Sequence, residues 1–140
     1  MRLETNVPLH PKNLAVNEVW LAFRATQTPV LIEDKPHHIY IVQDAGSMYI
    51  FGNAFAPAEA NSPSAGDAAL VLTQAWQSKL AWPKKLLIPG KMSKDNGFVA
   101  AAQLNKVPVE FIAESELSLY IDDVRSSYEE FTSRDTANDA

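Results

Sequence analysis

Glu33, Asp34, His37 and His38 form the densest group of potential metal ligands in this sequence. Two imidazoles and a carboxylate suit Zn²⁺ or another transition ion. Neighbouring residues of a strand point to opposite faces, so His37 and His38 do not easily serve one ion. The candidate set therefore reduces to Glu33, Asp34 and His38. Against it stands a plainer reading, a solvated turn around Lys35 and Pro36 with half-exposed histidines. His10 is isolated and adds nothing.

Other chemistries are argued down by residue type and spacing. Nucleophilic catalysis needs an activated hydroxyl or amine beside a base. There is no Gly-x-Ser-x-Gly elbow, and Ser47 has no marked base. The run Gly90-Lys91-Met92-Ser93 superficially resembles a phosphate loop but lacks the first glycine of that spacing. With no cysteine, thiolate catalysis, disulfides and cysteine metal sites are excluded. Trp20, Trp76 and Trp82 could make a stacking surface for a base or sugar, though core and helix-end packing explain them more simply. Phe55 and Tyr120 are expected in the core.

The elements that must position these residues are organised around 29–57. There 39–42 (IYIV) and 48–51 (MYIF) are strand-length β-branched and aromatic runs separated by 43–47. They read as an antiparallel hairpin, with Gly46 supplying the positive φ of its turn. Both runs are almost continuously apolar, which predicts a sheet covered on both faces. A third strand, 30–32, precedes them. The run 19–23 (VWLAF) is core but too short for periodicity to decide between a strand and a helical turn.

Downstream, Ser64 reads as an N-cap with Asp67 at N3. It opens a helix to about Leu80 with Ala65, Ala68, Ala69, Leu72, Trp76 and Leu80 on one stripe, stopped by Pro83. A buried strand 86–88, a helix 96–105 with Phe98, Ala101 and Ala102 inward, and a strand 107–112 follow. Ser115 is expected to cap a last helix carrying Leu117, Tyr120, Ile121, Val124, Tyr128 and Phe131 inward. This predicts an arm over 1–17, one α/β domain over 18–132, and a polar, disordered tail over 133–140. The alternation of strands and helices implies right-handed crossovers and a mixed sheet.

At 140 residues the chain suits one domain with its own core, and its 46% hydrophobic and 21% charged residues are those of a globular protein. A formal net charge of −5 and the lack of a basic stripe disfavour general binding to nucleic acid. No window has the ~18 to 20 apolar residues of a membrane span. Together with the missing leader pattern, this points to the cytoplasm. The oligomeric state is left open.

The β-β-β-α-β-α-β-α order over roughly residues 29 to 131 resembles the ribonuclease H-like fold. More narrowly, the chain resembles a bacterial domain family of unknown function, through Pro29, Val30, Ile32, Glu33, Asp34, Asp44, Gly52, Pro57, Pro108, Val109, Glu110 and Phe111. The fold likeness implies a test for two-metal nuclease chemistry. Acids would have to converge from the first strand, the end of the fourth and the last helix to hold Mg²⁺. Asp34, Asp95 and Asp123 are the candidates, with Asp122 and Glu129 also on the last helix. The fourth strand ends Ile88-Pro89-Gly90, however, and the Asp95-Asn96-Gly97 triplet lies several residues late, where a helix N-cap is the simpler account. The leading expectation is therefore a non-catalytic protein-interaction module that needs no cofactor. It would bind a protein partner through the sheet edge or the acidic last helix (Glu114, Glu116, Asp122, Asp123, Glu129, Glu130). The alternatives are the divergent Mg²⁺-dependent nuclease and a small-ligand site at the ends of the parallel strands near Pro89 and Gly90.

Overall fold

The structure, a computed structural model, describes residues 10–60, 62–92 and 96–139, with side chains as far as Tyr128. Among these residues six strands and three α-helices run in the order β1 (Val19–Arg24), β2 (Val30–Ile32), β3 (Lys35–Asp44), β4 (Ile50–Pro57), α1 (Ala65–Lys79), β5 (Lys85–Pro89), α2 (Gly97–Leu104), β6 (Val109–Ile112) and α3 (Ser118–Asp139). A 3₁₀ turn, Glu114–Leu117, joins β6 to α3. The sheet is mixed: β3 pairs antiparallel with β1, β2 and β4, whereas β5 lies parallel to both β1 and β6.

The ambiguous run 19–23 proves to be the central strand. Trp20 and Ala22 face α1 and α2 in one core; Val19, Leu21 and Phe23 face α3 in the other. Burial on both faces explains why the run reads as continuously apolar with no period. The strand 30–32, expected to come first, instead continues the line of β1. His37 is flanked by Val30 on one side and Pro57 on the other, so β2 and β4 lie on opposite sides of β3. With β2 taken as that extension, the element order is the expected ribonuclease H-like one in an α/β domain.

Glu33 and Asp34 form the two-residue connection between β2 and β3, both with positive φ (52° and 65°). Only a primed hairpin turn needs left-handed backbone at two consecutive positions, and Asn-Gly fits it far better than Glu-Asp. Replacing Glu33-Asp34 by Asn-Gly should therefore stabilise the protein by about 1–2 kcal/mol. That gain would raise the melting temperature by about 3–6 °C in a calorimetric scan. An unchanged melting temperature would mean that the turn is relaxed as it stands.

In the β3–β4 connection the expected roles of glycine and its neighbours are redistributed. Met48, not Gly46, has positive φ (67°). Gly46 is required for space, because a Cβ there would collide with the Ala15 carbonyl. That contact belongs to a wider attachment of the residues before β1. The Asn17 amide donates to Asp44 Oδ1 at 2.8 Å, and Trp20 Nε1 donates to Asn17 Oδ1 at 2.6 Å. Residues 10–17 are thus tied to the body, including a 3₁₀ turn at Pro11–Asn13, where a loose arm is expected. Residues 1–9 of that arm lie outside the described residues.

The helices largely follow their sequence signals. Ser64 Oγ accepts from the Asp67 amide at 3.1 Å and Asn96 Oδ1 from Val99 at 3.1 Å, so both predicted N-caps are in place. The inward face of α1 is Ala68, Val71, Leu72 and Ala75, rotated from the predicted stripe; Leu80 is the exposed left-handed C-cap. Leu117, Tyr120, Ile121 and Val124 are buried as expected. Ser115 does not cap α3 but lies within the 3₁₀ turn. Backbone of α3 continues through residues 133–139, where composition predicts disorder.

Candidate functional site

Three cationic side chains meet at the C-terminal ends of β1 and β5. Arg24 ends β1, Lys91 follows β5 by two residues, and Arg125 comes from α3. Together with Gln27, Tyr40, Met92 and Glu114 they line a cavity of about 360 Å³. The chain leaves β1 for β3 and β4 on one side and returns to β5 and β6 on the other. The cavity therefore stands at the point where the strand order reverses, the usual ligand position of open α/β sheets. Its volume is within the roughly 300–1,000 Å³ of small-molecule pockets.

The cations are held by specific contacts. Arg125 Nε donates to the backbone carbonyl of Arg24 at 3.2 Å, fixing the last helix to the end of the first strand. One Glu114 carboxylate spans two of the cations, with Oε1 at 3.4 Å from Arg125 Nη2 and Oε2 at 3.5 Å from Lys91 Nζ. The Arg125 side chain is only 13% exposed and that of Lys91 is 80% exposed, so solvent screens the second ion pair far more than the first. Arg24 Nε is buried and finds no hydrogen-bond partner among the described residues. That atom is enclosed, so Arg24 borders the cavity through its other atoms.

Two further titratable groups border the cations. His38 is buried and shares a 2.8 Å hydrogen bond between Nδ1 and Thr26 Oγ. Burial chiefly, then the Arg24 guanidinium, and less strongly Arg125, hold its pKa below the ordinary histidine value of 6.5, so at neutral pH it is uncharged. Tyr40 lines the cavity beside its register partner Arg24, and burial raises its phenol pKa despite the nearby cation.

The sequence-predicted site residues are not drawn together here. Glu33 and Asp34 are exposed at the hairpin tip, whereas Tyr40, six residues along β3 from Asp34, is level with the cavity. At about 3.3 Å per strand residue the separation is roughly 20 Å. His38 feels the positive charge of Arg24 and, less strongly, Arg125, an unfavourable setting for a metal cation. Asp123 is exposed on α3, and Asp95 lies outside the described residues. Among the described residues no three His, Asp or Glu side chains lie close enough to share a metal ion. The residues standing at the ends of β1 and β5 and on α3 are Arg24, Lys91 and Arg125; sequence reasoning passed over Arg24 and Arg125, and set Lys91 aside with the phosphate-loop likeness of 90–93. Its one useful signal was positional, the expectation of a ligand site near Pro89 and Gly90, and Pro89 does line the cavity.

The tryptophans do form a cluster, at the other end of β1. Trp20 lies 5.0 Å from Phe51 and 5.8 Å from Trp82 between ring centroids, and Trp76 lies 6.4 Å from Trp82. Trp20 is fully buried, so the cluster is mainly core. Phe55, expected inside, is exposed on β4. Beside it a smaller hollow of about 220 Å³ runs between β4 and α1, lined by Asn53, Asp67, Leu70 and Gln74.

No protein-family model matches this sequence, and no curated protein matches it significantly. Solved structures do. A chain from the cryo-EM structure of the simian T-cell lymphotropic virus intasome in complex with PP2A regulatory subunit B56 gamma superposes with a TM-score of 0.50. The identity is 14%, over 79% of this chain and 43% of that one. The likeness is one of fold. Endonuclease V from Bacillus subtilis superposes with a TM-score of 0.39 at 16% identity, over 77% of this chain and 48% of that one. This chain spans less than half the length of either. Among the described residues no helix is long and apolar enough to cross a membrane.

Proposed function

We propose that this domain is a non-catalytic module that binds a small anionic ligand at the ends of β1 and β5. The observation that supports it is the convergence of Arg24, Lys91 and Arg125, from three distant parts of the sequence, on one cavity with, among the described residues, a single carboxylate to balance them. In a chain of net charge −5, such a local excess of positive charge focuses attraction on anions. A two-metal nuclease would need carboxylates where these cations stand, so that alternative draws no support from the cavity.

Titration of the full chain with inorganic phosphate at low ionic strength, followed by calorimetry, should give saturable binding at one site. The affinity should fall as salt is added, because part of the attraction is screened. Heats no different from dilution at all phosphate concentrations would overturn the reading.

A second reading, protein docking, is favoured by a separate observation. Among the described residues β4 pairs with β3 alone, which leaves its other edge open there, flanked by exposed Tyr49, Ile50, Phe55 and Leu70. An extended peptide adds to such an edge through main-chain hydrogen bonds.

A further inference from the structure

Glu114 already shows where an anion sits among these cations. Each of its two oxygens approaches a different positive group, Arg125 on one side and Lys91 on the other. The bridge it makes also divides two hollows. The cavity at Arg24 and Tyr40 lies on one side, and a second of about 370 Å³ lined by Ala113, Ser115, Ser118, Ile121 and Asp122 lies on the other; Lys91, Glu114 and Arg125 line both. The carboxylate is carried by a 3₁₀ turn whose first residues have no side-chain cap, on a side chain 29% exposed. Rotation of that side chain toward the second hollow needs no repacking of either core.

Resting on the anion-binding reading above, we propose that the ligand is a small phosphomonoester whose phosphate takes its place by exchange with the Glu114 carboxylate. Three cations without Glu114 leave an excess that a dianion balances better than a monocarboxylate. A phosphate also offers one oxygen for each of the three cationic side chains that line the cavity, whereas the Glu114 carboxylate spans only two of them. The remaining volume, lined by Gln27, Tyr40 and Met92, leaves room for an organic group on the ester oxygen. Glu114 thus acts as an internal competitor that keeps the arginine and lysine paired until a stronger anion arrives.

The experiment compares the full-length wild type, Glu114→Gln and Glu110→Gln, each titrated calorimetrically with inorganic phosphate, adenosine 5′-monophosphate and acetate. Glu110 pairs with Lys85 on the surface at 3.2 Å, so its substitution makes the same change in net charge without touching the cavity. Glu114→Gln should bind phosphate and the nucleotide at least ten-fold more tightly than wild type, with Glu110→Gln within two-fold of wild type and acetate weaker than phosphate throughout. Unchanged or weaker phosphate binding in Glu114→Gln, with binding intact in wild type, would overturn the exchange while leaving the anion site standing. Equal tightening in both variants would reduce the effect to net charge and overturn it as well. Stronger binding of acetate than of phosphate would overturn the ligand class. If neither wild type nor Glu114→Gln binds any of the three, the anion-binding reading falls and this proposal with it.

Discussion

Asp44→Ala is expected to destabilise the protein by about 3–4 kcal/mol, a large part of a typical margin of about 5–15 kcal/mol. Asp44 is fully buried at the end of β3, and its carboxylate accepts three hydrogen bonds. Oδ1 takes the Asn17 amide at 2.8 Å, while Oδ2 takes the Ser47 amide at 2.9 Å and the Ser47 hydroxyl at 2.6 Å. One side chain therefore closes the β3–β4 connection and fastens the segment before β1 to the sheet. Truncation removes three hydrogen bonds to a charged group, each contributing about 1.5–3 kcal/mol, and the loss is reduced because the Asn17 and Ser47 donors are half-buried or exposed and can turn to water. Asp44→Asn keeps one acceptor oxygen but turns an amine toward the Ser47 donors, so it should lie between wild type and alanine. Urea melts of the three proteins test the order. A loss below about 1 kcal/mol in Asp44→Ala would show that Asn17 and Ser47 find other partners. The residue stands at the opposite end of β1 from Arg24, since Trp20 pairs with Asp44 and Arg24 with Tyr40. Folded Asp44→Ala should therefore bind phosphate as wild type does, which separates stability from ligand binding.

The contrast between Asp44 and the cations shows what the sequence makes legible. The α/β class, the mixed sheet, the N-caps Ser64 and Asn96 and the inward face of α3 can all be read, because capping and a 3.6-residue period are local signals. The position of β1 could not be decided. A strand buried on both faces carries no alternation, and five apolar residues are too few for a helical period to show. That one ambiguity had a large effect on the functional reading. Taking 30–32 as the first strand directs attention to Glu33 and Asp34 as its terminal acids; taking Val19–Arg24 directs it to Arg24. Glu33 and Asp34 further mislead because a two-residue turn of left-handed backbone normally announces itself with Asn or Gly, and here it does not.

The cavity was hidden for a different reason. Arg24, Lys91 and Arg125 are separated by 67 and 34 residues, and apart from the incomplete phosphate-loop run around Lys91 nothing along the chain sets them off. Arg125 lies among the acids of the last helix, so composition there suggests a negative surface. Only the fold brings it to the end of β1, where its Nε holds the Arg24 carbonyl.

The largest functional effect is accordingly expected at Arg125. Arg125→Gln removes a charge that is 13% exposed, loses the donor to the Arg24 carbonyl and leaves Glu114 without its better-shielded partner. A charge so little exposed to solvent is less screened than one on the surface, and truncation of a shielded charge partner typically costs about 2–5 kcal/mol. Phosphate affinity should fall by about 100-fold, equivalent to about 2.7 kcal/mol. Arg125→Lys retains the charge but not the planar fork that serves the Arg24 carbonyl and an anion at once, so it should recover only part of the loss. Lys91→Gln removes a charge that is 80% exposed and should weaken binding by less than about five-fold, in keeping with the small contribution of solvated ion pairs. The ranking, Arg125→Gln well above Arg125→Lys and that above Lys91→Gln, follows from exposure and geometry and not from formal charge, which is lowered equally by the two glutamine substitutions. Calorimetric titration of the three variants with phosphate, on samples shown folded by their thermal transitions, would reverse the assignment if Lys91→Gln proved the most damaging. In that case the anion would sit at the exposed mouth beside Lys91, away from Arg125.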